Sequence, residues 1–176
     1  MDADDISKPN RIDKQFGCLS EHPECVALGS QVMLIDPEGL EICQFVATFS
    51  HSDIDSAHLA GQGGSICHLA MVMRSAAVDK VGGYRTKFPY AEDIDLFLRL
   101  AEIGTLSNLS DTLFRYRQHP KSIGYQYAST QQTTVQRAVV EARLRRGLTI
   151  SADSNRSDAA ATEVTPLGEV HNKWVW

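Results

Sequence analysis

The sequence lacks three features that would each have pointed to a particular class of protein. No apolar run approaches the roughly 20 residues that a membrane-spanning helix needs. The cysteines, at positions 18, 25, 43 and 67, have no C-x-x-C spacing and form no zinc-binding pattern with the histidines. The net charge of −5 provides no general attraction for nucleic acid. We therefore expect a cytoplasmic protein with free thiols and no nucleic-acid partner.

The chain has 176 residues, 43% hydrophobic and 22% charged, which suits one globular domain with a substantial core. Residue patterns predict helices at 9–20, 51–59, 75–81, 92–103 and 127–146. They predict strands at 25–35, 40–48, 66–73, 105–109 and 112–117, with an interruption of the first at Gly29. Because strands and helices alternate, the expected class is α/β, with α+β as the alternative.

The most informative stretch runs from Gly82 to Gly104. A glycine turn and an aromatic loop lead into a helix that opens with Glu92 and Asp93. The helix is apolar on most sides, so we expect it to be deeply buried. Asp95 and Arg99 have the spacing of a favourable ion pair on this helix.

Two interpretations of Glu92 and Asp93 are open at this point. The acids can offset the helix dipole and accept hydrogen bonds from the free N–H groups of the first turn. Alternatively, they form a catalytic pair, because a sheltered carboxylate can act as a general base towards a hydroxyl group.

A second group of acids lies in the segment D-A-D-D at residues 2–5. The side chains of Asp2 and Asp4 point the same way on an extended segment, so they can share a hard divalent cation. The alternative is a solvated acidic terminus ahead of a helix. The D-x-D spacing alone does not decide between the two.

Histidines and arginines supply further candidates. His68 and His119 can bind Mn²⁺ or support such a site, although a lone histidine is more often structural or exposed. Arg117 shares a strand face with Arg115, and the two can hold phosphates or simply form a solvated face of the sheet.

Four segments, taken together and in order, resemble the second half of glycosyltransferase family 2: MDADDISKPNRIDKQ, CHLAMVMRSAAVDKVGGYR, FPYAEDIDLFLRLAEIG and RYRQHPKSIG. The resemblance covers roughly residues 1–147. It implies a GT-A-type fold, in which a nucleotide-binding α/β half is joined to an acceptor-binding half. We therefore predict a metal- and acceptor-binding domain at 1–147. Residues 148–176 are predicted to be a disordered tail, because they contain few large apolar side chains.

The resemblance also implies roles for individual residues. Asp2 and Asp4 match the D-x-D that coordinates Mg²⁺ or Mn²⁺ on the diphosphate of a nucleotide sugar. Asp93 matches the catalytic base and has Glu92 beside it, and His119 matches a histidine close to the metal. The implied reaction is an inverting, metal-dependent transfer of a sugar, with a UDP-sugar as the expected donor. A glycan or lipid-linked acceptor is expected, which is compatible with peripheral association at the inner face of the membrane.

Other expectations concern the substrates and the extent of the fold. Tyr84, Arg85 and loop 86–91 are predicted to shape the acceptor pocket, and Arg117 to bind the donor. Family members carry further nucleotide-binding strands before the D-x-D, so we expect a partial GT-A-like fold that lacks them. The alternatives are a truncated, non-catalytic remnant, or an acceptor-binding half that needs a separate nucleotide-binding half. A third and weaker alternative is a D-x-D phosphatase. This function would need an apolar strand directly before Asp2, which the sequence does not offer.

Overall fold

A mixed sheet forms the centre of the fold. A computed structural model of the chain describes residues 3–46, 48–119 and 127–149. The strands are β1 Ile6–Ser7, β2 Cys25–Ile35, β3 Glu41–Gln44, β4 Val72–Met73 and β5 Thr105–Arg117. The helices are α1 Arg11–Glu21, α2 His51–Leu59, α3 Ser75–Lys80, α4 Glu92–Leu100 and α5 Ala128–Arg145, with a 3₁₀ turn at His68–Ala70.

Strand β2 is the central strand of this sheet. The strand order is β1-β5-β2-β3, and β4 also pairs with β2. Strands β2 and β5 are parallel, whereas the other pairs are antiparallel. The near-continuous apolar run of β2 is buried along almost its whole length, as expected for a strand that is covered on both faces. The mixed α/β class is thus confirmed.

The predicted strand at 66–73 is wrong. Residues 68–70 form a 3₁₀ turn, and only Val72 and Met73 pair with β2. Cys67 and Ala70 point into the same core cluster, whereas Ile66 belongs to another one. A spacing of three on one side fits a helical turn rather than the alternation of a strand.

Other predicted boundaries also differ from the structure. The two strands predicted at 105–109 and 112–117 are one continuous strand, β5, which absorbs the polar residues between them as an irregularity in its register with β2. Strand β2 is not interrupted at Gly29. A Cβ atom at this position would collide with the side chain of Asn108 on β5, so glycine allows the two strands to approach.

Helix α4 lies in the main hydrophobic core, as its sequence predicts. Every residue from Ile94 to Leu100 is buried, and α4 packs together with α2 and α5. The α4 helix ends at Leu100 rather than at residue 103. Within the described ranges, no helix has the length and apolar character needed to cross a membrane.

Two predictions about the cysteines and the tail have different outcomes. All four cysteines are free, as predicted. The predicted tail falls almost entirely on residues 150–176, which lie outside the described residues, so its disorder stays a prediction.

His58 places an ionisable ring in the apolar core. Its imidazole is fully buried and stacks on Phe97 with ring centroids 5.6 Å apart, and neither ring nitrogen has a hydrogen-bond partner. Burial lowers the pKa of His58 from 6.5 to about 4; Asp55 opposes the shift and Arg146 adds to it. The unfolded chain therefore binds a proton at this residue more readily than the folded one does.

We expect the free energy of unfolding to fall as the pH decreases from about 6.5 to about 4. A pKa shift of this size corresponds to about 3 kcal/mol of stability, which is lost between these two pH values and is fully present above them. His58→Phe keeps a stacked ring but cannot be protonated, so the free energy of unfolding of this variant should depend less on pH in that range. Urea unfolding at several pH values measures the free energy of both proteins. The exposed His22→Gln variant is the control, and equal acid losses in the wild type and His58→Phe would contradict the assignment.

Candidate active site

The first turn of α4 carries the two predicted acids at the edge of the core. Glu92 is exposed, whereas Asp93 is partly buried and its Oδ1 accepts a hydrogen bond from the backbone N–H of Ile94 at 2.8 Å. Burial raises the pKa of Asp93; His68 opposes this shift, and the charge of Glu92 adds to it. Asp93 therefore satisfies an amide of the first turn and also has a raised proton affinity, which suits a general base.

His68 and Tyr84 lie beside this acid pair. The Nε2 atom of His68 is 2.7 Å from the hydroxyl oxygen of Tyr84. The His68 ring also stands edge-on to Phe97, one helical turn after Asp93, with centroids 6.0 Å apart. Burial raises the pKa of Tyr84, and the charges of Asp93 and Glu92 raise it further. The half-exposed Tyr84 thus lies at the acids, where the sequence placed it as part of an acceptor pocket.

A buried ion pair supports the loop that carries Tyr84. Asp95 accepts hydrogen bonds from Arg85 Nε at 2.9 Å and from Arg99 Nη2 at 2.7 Å. Arg99 also donates to the carbonyl oxygens of Val81 at 2.5 Å and Gly83 at 2.7 Å. The predicted pair of Asp95 and Arg99 is confirmed, and it is a buried pair that fixes the preceding turn.

Glycine is needed in that turn. Gly82 and Gly83 have φ values of 82° and 64°, in the left-handed region where a Cβ atom is unfavourable. Arg85, predicted to shape the acceptor pocket, directs its guanidinium towards Asp95 and towards Glu141 on α5. Its direct contact with a substrate stays a prediction, and its visible contacts support the loop.

Asp4 lies close to His119, just beyond the end of β5. Asp4 Oδ2 lies 3.7 Å from His119 Nε2, and both side chains are about 40% exposed. Arg117 holds this segment in place: its backbone N–H donates to Asp5 Oδ1 at 3.0 Å and its Nε donates to the carbonyl oxygen of Asp4 at 3.0 Å. Asp2 lies outside the described residues. The structure thus brings together two of the three predicted metal ligands.

A carboxylate and an imidazole at this separation are donors that suit Mn²⁺ better than a soft metal. Among the residues that the structure describes, no group of three or more His, Cys, Asp or Glu side chains is arranged to hold a metal ion. Arg117 also donates to the carbonyl oxygens of Asp36 at 2.8 Å and Pro37 at 2.7 Å, so its predicted donor-binding role stays a prediction.

Cys67 connects the two groups of acids. Burial raises the pKa of its thiol to about 12, and the negative charges of Asp5 and Asp93 contribute to the rise. Both carboxylates therefore influence this one buried thiol. That the metal-ligand candidates and the candidate base form one site is part of the function proposed for this chain.

An aromatic stack lies close to the acids and was not predicted. Tyr90 has a φ of 65°, which is unusual for a residue other than glycine and implies local strain. Its ring stacks on Tyr127 with centroids 4.4 Å apart, and its carbonyl oxygen accepts a hydrogen bond from Gln131 Nε2 at 2.8 Å. The sequence gives no signal for this conformation, because residue 90 is not a glycine.

The chain is similar over much of its length to parts of several bacterial proteins. It is 34% identical over 118 residues to the amylovoran biosynthesis glycosyltransferase AmsE of Erwinia amylovora, covering 66% of this chain and 43% of AmsE. It is 30% identical over 125 residues to the O-antigen biosynthesis glycosyltransferase WbnJ of Escherichia coli, covering 69% of this chain and 47% of WbnJ. An uncharacterised glycosyltransferase of Haemophilus influenzae is 28% identical over 146 residues, covering 78% of this chain and 45% of that protein.

These relatives support a glycosyltransferase family for this chain. No protein-family model matches it. The mixed α/β fold is compatible with a glycosyltransferase-like fold. The chain spans less than half the length of the relatives named above.

We expect Asp95→Asn to destabilise the fold by roughly 3–5 kcal/mol, because it leaves two arginines around a site without a compensating charge. Glu141→Gln is the matched control. This side chain is 36% exposed and pairs with Arg85 and Lys87, so its loss should cost less than about 1 kcal/mol. Chemical denaturation of both variants measures the difference. Equal midpoints for the two variants would show that Asp95 does not hold the loop.

Proposed function

We propose that this chain forms the metal- and acceptor-binding part of an inverting, metal-dependent glycosyltransferase of family 2, with a partial GT-A-type fold. The observation that supports it best is the position of Asp93. This carboxyl group has a raised pKa at the edge of the core. Asp93 and Asp5 both raise the pKa of the buried Cys67 thiol, and Asp4, next to Asp5, lies 3.7 Å from His119. The similarity to named glycosyltransferases supports the same conclusion.

The proposed reaction takes place between an acceptor hydroxyl and the anomeric carbon of a nucleotide sugar. Asp93 removes the proton from the hydroxyl as its oxygen attacks the anomeric carbon. The attack comes from the face opposite the diphosphate, so a new glycosidic bond forms while the bond to the diphosphate breaks. The configuration at the anomeric carbon is inverted, the proton remains on Asp93, and the diphosphate leaves with the bonding electrons. Glu92, exposed beside Asp93, keeps the local potential negative and favours proton uptake by its neighbour.

The proposed metal ligands are Asp2, Asp4 and His119, with Mn²⁺ or Mg²⁺ as the ion. When bound, such an ion neutralises the charge that develops on the leaving diphosphate. Arg117 keeps Asp4 and Asp5 beside the end of β5, so Asp4 is held close to His119.

The proposed partners are a nucleotide sugar, with UDP as the nucleotide, and a glycan or lipid-linked acceptor. Two relatives are named for the biosynthesis of amylovoran and of O-antigen, which favours an acceptor in polysaccharide synthesis. A lipid-linked acceptor would place the reaction at the inner face of the membrane. Tyr84 is the proposed contact for the acceptor, because its side chain is half-exposed and the charges of Asp93 and Glu92 act on its hydroxyl.

Asp93→Asn should lower the rate of sugar transfer by about 10²–10⁴, because the amide keeps the shape of the side chain but cannot accept the proton. The measurement is UDP release from a panel of UDP-sugars in the presence of a polyprenyl-diphosphate-linked sugar. The control is Asp79→Asn, which removes an exposed acid on α3 and should leave the rate unchanged. Turnover by Asp93→Asn close to that of the wild type would refute its role as the base.

A second proposal is favoured by the share of the relatives that the chain spans. The chain is then an acceptor-binding module that acts with a separate nucleotide-binding part, or a remnant without activity of its own. The absence of transfer by the wild-type chain with every UDP-sugar in the panel would favour this second proposal over the first.

The affinity for UDP measures how far this chain binds the nucleotide by itself. Asp4 and His119 are half-exposed, and Mn²⁺ prefers about six ligands, so the diphosphate must supply several of them. We therefore expect UDP to bind this chain with Mn²⁺ at no better than millimolar affinity, and Asp4→Ala to abolish the binding. Isothermal titration calorimetry measures it. Micromolar, Mn²⁺-dependent binding of UDP would contradict the proposal of an acceptor-binding module and support a self-sufficient transferase.

A further inference from the structure

Two tyrosines stack on each other near the candidate base, and the proposed reaction gives them no role. The rings of Tyr90 and Tyr127, here called the tyrosine stack, have an interplanar angle of 9° and centroids 4.4 Å apart. Tyr127 is 40% exposed, so the stack offers aromatic surface to solvent. Tyr90 comes two residues before Glu92, so the stack borders the turn that carries the acid pair.

The backbone at Tyr90 has a conformation that a tyrosine disfavours. Its φ of 65° lies in the left-handed region, which glycine and asparagine adopt more readily. The Nε2 atom of Gln131 holds this backbone by donating to the carbonyl oxygen of Tyr90 at 2.8 Å. The Oε1 atom of the same amide is buried and has no hydrogen-bond partner among the described residues. Two unfavourable local features therefore accompany the placement of this ring.

Stability alone does not account for a tyrosine at position 90. The free energy gained from stacking two aromatic rings is of the same order as the cost of a tyrosine in the left-handed region. The stack therefore adds little net stability to the fold. Strained residues of this kind cluster at positions that contact ligands, where the strain is part of the function.

The loop that carries Tyr90 is attached to α5 at two places. Lys87 Nζ donates to the two carboxylate oxygens of Glu141 at 2.8 and 2.9 Å. Tyr90 itself is held by Gln131 and by the ring of Tyr127, at the start of α5. A surface fixed in this way loses little conformational freedom when a ligand binds to it.

We propose that the tyrosine stack binds a pyranose ring of the acceptor glycan. A pyranose has a face of C–H groups and an edge of hydroxyl groups, which matches an aromatic face with phenolic hydroxyl groups at its rim. The exposed carboxylate of Glu92 disfavours a phosphate group at this place, so an uncharged sugar fits better. The part played in sugar transfer rests on the function proposed above, whereas binding can be tested without transfer.

The first test is an NMR titration of the full 176-residue chain with a panel of methyl pyranosides. At least one of them should shift the signals of Tyr90, Tyr127 and Gln131, with the millimolar affinity expected for so few ligand atoms. Sorbitol is the control ligand, because it has hydroxyl groups but no ring, and it should shift none of these signals. The absence of a shift at both tyrosines with every pyranoside would overturn the proposal.

Tyr127→Ala removes the exposed ring and leaves the backbone of Tyr90 unchanged in sequence. It should weaken pyranoside binding by about tenfold, because the stacked contact is lost. The matched control is Phe16→Ala, which removes an aromatic ring that is 70% exposed on α1 and should leave the affinity unchanged. Equal affinities for the two variants would contradict the proposal.

Tyr90→Asn separates binding from stability. Asparagine tolerates the left-handed backbone but removes the ring from the stack. The variant should unfold at the temperature of the wild type or above it, while its binding of the pyranoside is lost. A lower unfolding temperature together with unchanged binding would show that the stack is structural, and would overturn the proposal.

Kinetic measurements decide whether the bound ring belongs to the acceptor or to the donor. Where transfer occurs, Tyr127→Ala should raise the KM for the acceptor and leave the KM for the UDP-sugar unchanged. A general structural defect would not change one constant alone. A raised KM for the UDP-sugar with an unchanged KM for the acceptor would assign the stack to the donor sugar and overturn the proposal.

The failure of this inference can be told apart from the failure of the proposed function. Pyranoside binding at the tyrosine stack together with normal transfer by Asp93→Asn would keep the sugar site and reject Asp93 as the base. Loss of transfer in Asp93→Asn without pyranoside binding at the stack would keep the base and reject the sugar site.

Discussion

The buried carboxylate of Asp95 is the constraint on which the rest of the site depends. An ionised group at this depth would be costly without partners. Burial alone would raise its pKa, but the hydrogen bonds from Arg85 and Arg99 outweigh that effect and hold the pKa below its usual value. Each arginine then binds a second group, because Arg99 reaches the turn before Tyr84 and Arg85 reaches Glu141 on α5. One charge inside α4 therefore joins the helix, the glycine turn and α5.

The same helix provides the core and the candidate base. Its apolar residues pack between α2 and α5, while its first turn presents Asp93 at the edge of the core. The neighbouring groups are held by rigid elements. Arg117 on β5 holds Asp4 and Asp5, and His68 belongs to the turn that precedes β4. A base positioned in this way needs little reorganisation when an acceptor binds, and this is the physical basis of the proposed transfer.

The features that depend on local spacing could be predicted from the sequence, and those that depend on distant contacts could not. The burial of α4 and the pair of Asp95 and Arg99 follow from a helical repeat. The turn at 68–70 was predicted as a strand, because its apolar composition suits either structure and only the packing of Cys67 and Ala70 decides. The contact between His68 and Tyr84 joins two separate segments of the chain, and no repeating pattern of residues connects them. The meeting of Asp4 with His119 was expected from the family resemblance alone, not from any pattern in the residues.

The central claim is that the N-terminal acids, His119 and Asp93 belong to one site that binds a metal and a nucleotide diphosphate. Paramagnetic broadening of backbone amide signals by Mn²⁺ in the presence of UDP tests it most directly, because the method also detects weak binding. The account predicts the strongest broadening at Asp4, Asp5 and His119, followed by His68 and Asp93, with Mg²⁺ as the diamagnetic reference. Broadening centred on other acids, such as the exposed Asp53 at the start of α2, with His119 and Asp93 unaffected, would contradict it.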